Sequence, residues 1–80
     1  MKYAIGNFKD VAQAKAIYKS LNTNGYEDYT REYIDYETVI KPDTCWVVID
    51  GDLLIQMKLS SINPDIQTIS ATLYCVLKNI

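Results

Sequence analysis

Eighty residues with 49% hydrophobic and 22% charged side chains make one folded domain rather than a disordered segment. A chain this short buries only roughly 60% of the surface its unfolded form exposes, so its core is thin. Formal charge is −2 and there is no His, which removes the commonest general base and metal ligand.

The charge is unevenly spread. Between Tyr26 and Asp52 stand Glu27, Asp28, Glu32, Asp35, Glu37, Asp43, Asp50 and Asp52 against only Arg31 and Lys41. Such a net-acidic centre binds phosphate poorly and suits a basic partner surface, or solubility alone. No apolar run approaches the roughly 20 residues that cross a bilayer, and the opening residues lack a signal-peptide core. A cytoplasmic protein without membrane attachment is expected. Cys45 and Cys75 lack a paired spacing. Two reduced, half-buried thiols are the expected state, with a disulfide as the alternative.

In chain order, Lys2 to Phe8 reads as a strand, broken at Gly6 and Asn7. Asp10 with Gln13 three residues on has the spacing of a capping box. Val11, Ala14, Ile17, Tyr18 and Leu21 then recur at helical spacing, and Asn22 to Gly25 closes the helix. Lys15 and Lys19 with Tyr18 make a small basic patch that reads as a solvated face, so direct nucleic-acid binding is not expected.

Tyr26 to Ile40 carries two signals. Tyr26, Tyr29, Tyr33, Tyr36 and Ile40 step at helical intervals, while the density of Tyr, Thr, Ile and Val favours a strand. The reading adopted is a strand over about Tyr33 to Ile40, with Ile34, Tyr36, Thr38 and Ile40 on one face.

Lys41, Pro42 and Asp43 form a turn into the strand Cys45 to Ile49, and Asp50-Gly51 is a hairpin signal leading to a return strand over Leu53 to Leu59. Asn63, Pro64 and Asp65 have the cap, first-turn proline and acid of a helix start. Ile66, Ile69, Leu73, Val76, Leu77 and Ile80 would be its core-facing stripe, with Lys78 in the last turn. The order β-α-β-β-β-α predicts an α+β two-layer sandwich, an antiparallel sheet of three to four strands with two helices on one face.

Catalytic patterns are absent from this sequence. Gly6, Gly25 and Gly51 are isolated and form no phosphate loop. Asp50 and Asp52 flank a hairpin tip, where Asp is a preferred turn residue, and lack the ligand ladder of a calcium loop. No cofactor or metal is expected, and a non-enzymatic protein is.

The Tyr and acid cluster is the candidate contact surface, because Tyr offers a rigid, amphipathic face at low entropic cost. Tyr29, Glu32, Tyr33, Asp35, Tyr36 and Glu37 are its candidate partner-binding residues. A half-buried segment with Tyr rings on the sheet and acids in water is the competing reading. Leu54 joins the candidates. Alternation places Leu53, Ile55, Met57 and Leu59 inward and Leu54, Gln56 and Lys58 outward, so Leu54 forms an apolar outer patch with Val47 or Val48.

Tyr3, Ala4, Ile5, Gly6, Asn7 and Phe8, followed by Ala14, Leu21 and Gly25-Tyr26, resemble the opening of the sporulation-related repeat family, the SPOR modules. That resemblance covers the first third of the chain and implies peptidoglycan binding. No second Gly-x-Phe follows in the remainder. The leading expectation is a small protein-binding module of the kind phages and mobile elements encode as inhibitors. Its partner would be a basic or nucleic-acid-processing host protein. Glycan binding and a self-associating structural role, with a homodimer, are the alternatives.

Overall fold

The computed structural model describes residues 1–22 and 34–80. Its elements are β1 (Lys2–Gly6), α1 (Val11–Ser20), a one-turn helix α2 (Tyr36–Val39), β2 (Thr44–Ile49), β3 (Asp52–Lys58), a 3-10 turn (Leu59–Ser61), β4 (Gln67–Ser70) and α3 (Ala71–Lys78). The strands form one sheet in the order β3-β2-β1-β4. β1 pairs antiparallel with β2 and β2 with β3, while β4 runs parallel to β1. The fold is therefore α+β, as expected, but the sheet is mixed.

Register assigns the two faces. Ile5 stands opposite Trp46 and Tyr3 opposite Val48, and these side chains meet the helices. Trp46 is the centre of that layer. Phe8 packs on it with ring centroids 4.7 Å apart and Tyr18 meets it edge-on at 5.9 Å, the tilted geometry aromatic quadrupoles favour. Ala14, Ile17 and Tyr18 supply the buried stripe of α1, with Leu21 buried just after it as the C-cap, and Ala71 and Tyr74 supply that of α3.

The other face carries Ala4, Gly6, Cys45 and Val47, all buried. Leu59 covers part of it, since a Cβ at Gly6 would stand 3.6 Å from the Cys45 Cβ and from both Leu59 methyls. Residues 59–66 lead from one edge of the sheet to the other, and they set out on this helix-free face. Asp43 anchors the departure. Its carbonyl accepts from Leu59 N, and its carboxylate accepts from the Ser60 amide and hydroxyl, each at 2.7 Å.

The start of α1 matches its sequence. Asp10 accepts from Gln13 N at 2.8 Å, and the Gln13 side chain accepts from Lys9 N at 2.7 Å, one residue before the expected amide. The hairpin forms at Asp50-Gly51, both residues having positive φ as a two-residue turn of the primed type requires.

Three expectations are corrected. Residues 36–39 form a helix, not a strand, because Asp35 caps it: its carboxylate accepts from Glu37 N and from the Thr38 hydroxyl. Helical rather than alternating spacing then buries Val39, three residues after Tyr36.

The second is the last helix, which begins at Ala71 with Ser70 as its cap, not at Pro64. Asn63 instead caps a local turn, its side chain accepting from Asp65 N. Gln67 to Ser70 then finds ladder partners along β1, and a strand prevails over the helical pattern.

The third is the alternation of β3. Val48 faces Leu53 but Val47 faces Ile55, so a bulge at Leu54 turns Ile55 and Met57 away from Leu53 and onto the Cys45 face.

Candidate functional site

Two acids of the expected contact surface lie exposed around α2. Asp35 and Glu37 face solvent, while Tyr36 between them is half-buried against the core. The Asp35 carboxyl lies below its ordinary range, chiefly because the Thr38 hydroxyl donates to it, so it is charged at neutral pH. The Lys15 ammonium sits 5.5 Å from the centroid of the Tyr36 ring, which joins α1 to α2 by a cation–π contact. Burial, and secondarily Tyr18, raises the Tyr36 phenol pKa and keeps it neutral. Tyr29, Glu32 and Tyr33 lie outside the described residues.

The remaining expected residue stands on another element. Leu54 is 51% exposed at the bulge of edge strand β3, beside Ile55 at 49%. The basic patch of α1 does not hold together as a stacking surface. Lys15 and Lys19 are exposed, but Tyr18 is buried against Trp46.

Among the described residues no group of three or more His, Cys, Asp or Glu side chains is placed to hold a metal. Burial raises the Cys45 thiol pKa, the Asp43 carboxylate adds to this and the Met57 amide partly opposes it, so the thiol stays protonated. Cys45 lies on the helix-free face and Cys75 on α3 packs against the opposite one, so the sheet separates the two free thiols. Asp50 forms an ion pair with the amino group of Met1. No helix of the described residues is long and apolar enough to cross a membrane.

Sequence reasoning missed the surface of α3. Leu73, Val76, Leu77 and Ile80, expected in the core, are exposed by about half or more, while Ala71 and Tyr74 face inward. Beside them an open groove of about 270 Å³ is lined by Met1, Tyr3, Gln67, Ile69, Tyr74, Leu77 and Lys78. The apolar stripe was visible at helical spacing. What the sequence hid is that the small Ala71 and the long Tyr74, rather than the stripe, fit against the sheet.

Comparison with protein-family models, with curated proteins and with solved structures finds no match to this chain.

Proposed function

We propose that this chain is a small non-enzymatic module that binds a basic surface of another protein. The observation that carries the reading is the pair of exposed acids Asp35 and Glu37 around the half-buried Tyr36. Asp35 accepts from two groups of its own turn, so the charge is fixed in place rather than carried on a free side chain. A positioned carboxylate loses little entropy when it meets Arg or Lys, and a charged surface steers encounter with an opposite one. The neighbouring sequence adds Glu27, Asp28 and Glu32 to the same sign of charge.

One concrete form of this reading is an inhibitor, encoded by a phage or mobile element, that occupies the basic site of a host nucleic-acid-processing protein. The acidic segment then stands in for phosphate. Abundant Ile, Tyr, Lys, Asn and Asp agree with the AT-rich coding sequence common in such elements.

The test is affinity capture from lysate with the chain and with a variant carrying Asp35→Ser and Glu37→Gln. Ser preserves the helix cap while removing the charge. The reading expects a captured protein with a basic surface, weaker capture by the variant, and weaker capture at high salt. Capture insensitive to both changes refutes it.

A further inference from the structure

Edge strand β4 and the outward flank of α3 present one continuous surface. Three observations identify what it fits. The first is the state of the two sheet edges. The β3 edge is interrupted: Asn22 exchanges hydrogen bonds with Gly51 and Leu53 at its start, Leu54 bulges, and Asp52 and Lys58 bring charge. Among the described residues β4 has β1 as its single strand neighbour, and Gln67 to Ser70 contains no charge, proline or bulge. An edge without these devices is a template for another strand.

The second is the direction of the α3 side chains. The Thr72 hydroxyl accepts from the Gln13 side chain of α1, so the Thr72 flank faces α1. Successive residues turn by about 100° around a helix, which puts Leu73 and Leu77 toward the flank away from α1, above the β4 edge. Leu77 accordingly lines the groove with Ile69 of β4 and Tyr3 of β1. Val76 continues the apolar stripe over the top, with Val76 at 71% and Leu77 at 64% exposure.

The third is size and charge. Met1, Leu73, Val76 and Leu77, each about half or more exposed, together expose roughly 400–500 Å², within the range of a monomer's largest apolar patch. A standard interface takes about 800 Å² per partner. The apolar flank supplies roughly half of that area, and the β4 edge beside it adds to it. Lys78 is the sole charged residue of α3, and its ammonium lies 5.9 Å from the ring centroid of its own Tyr74.

We infer that this surface is a two-fold contact between two copies of the chain. One rotation about an axis perpendicular to the sheet satisfies both features. It pairs β4 antiparallel with the second copy's β4 and keeps both helix layers on the same side, so the two α3 flanks meet above the new strand pair. The two Lys78 then lie at opposite ends of the antiparallel helices. Glu37 in α2 and its cap Asp35 lie outside the contact. The inference does not rest on the proposed binding of a basic partner, which uses a different surface.

Sedimentation velocity at micromolar concentration tests it. The expected result is a species of twice the 9.1 kDa chain mass. Leu73→Asp combined with Leu77→Asp should give a monomer with an unchanged far-ultraviolet circular dichroism spectrum. Val76→Lys, at the most exposed position of the stripe, repeats the test if the double variant unfolds. Hydrogen exchange locates the contact: amides of residues 67–70 should gain protection as dimer forms. A wild-type monomer overturns the inference and leaves the face to a different protein. A dimer that survives these substitutions, or one whose residues 67–70 exchange freely, overturns it as well.

Discussion

Trp46 and Gln56 face each other across the β2–β3 pair, and the indole N–H donates to the Gln56 side-chain oxygen at 2.8 Å. Trp46 is fully buried, so this N–H depends on that acceptor. The bulge at Leu54 makes the pairing possible. Without it, Gln56 would point to the opposite face and Ile55 or Met57 would stand against the indole. Gln56→Leu therefore leaves a buried donor unpaired, at a cost of about 1–3 kcal/mol. Urea denaturation followed by Trp fluorescence measures it. An unchanged midpoint would place another acceptor at the indole.

How legible each feature was depended on how local its cause is. The Asp10 cap and the Asp50-Gly51 turn are decided within a few residues, and both stand where the sequence puts them. The bulge at Leu54 depends on satisfying Trp46 from ten residues away, which strand alternation cannot express. Residues 67–70 are a strand because β1 offers them a ladder. The candidate site divides in the same way. Exposed acids were readable at Asp35 and Glu37, whereas the outward stripe of α3 required knowing which face of the helix meets the sheet.

The hairpin turn should tolerate no side chain that resists positive φ. Asp50 and Gly51 have φ of 50° and 86°, and the Gly51 carbonyl also accepts from Asn22 N at 2.9 Å. Asp visits the left-handed region with little penalty, but a β-branched residue does not. Gly51→Val should destabilise the protein by about 1–3 kcal/mol. Thermal denaturation with matched Gly51→Asn and Gly51→Val variants checks this, with Asn expected to be the milder change.

Asp43 should make stability depend on acid pH. Hydrogen bonds from the Ser60 hydroxyl and then the Ser60 amide lower its pKa below the ordinary 3.8. A folded pKa below the unfolded one gives stability that is complete above about 3.8 and is lost as pH falls through the lower folded value. Asp43→Asn removes the ionisation while suiting the left-handed backbone at this position, where φ is 68°. The variant should be less stable at neutral pH, and the difference should shrink below pH 3.8. Urea midpoints taken across the acid range decide it, and a difference independent of pH would remove the charge from the explanation.

Leu53 and Leu54 are adjacent in sequence and opposite in environment, the first 1% and the second 51% exposed. Leu53 faces Val48 in the helix-covered layer, whereas Leu54 is the extra residue of the bulge. Leu53→Ala should therefore cost about 2–5 kcal/mol, as for other Leu truncations in a packed core. Leu54→Asp should stay within about 0.5 kcal/mol of the parent, as exposed substitutions usually do. If Leu54 belongs to a partner contact, Leu54→Asp will also lose capture of that partner while its circular dichroism stays native. Denaturation and capture assays on the two variants separate the cases. Unfolding by Leu54→Asp would move the bulge by one residue and exchange the two side chains between core and surface. A native fold with undiminished capture would leave Leu54 as surface without a partner.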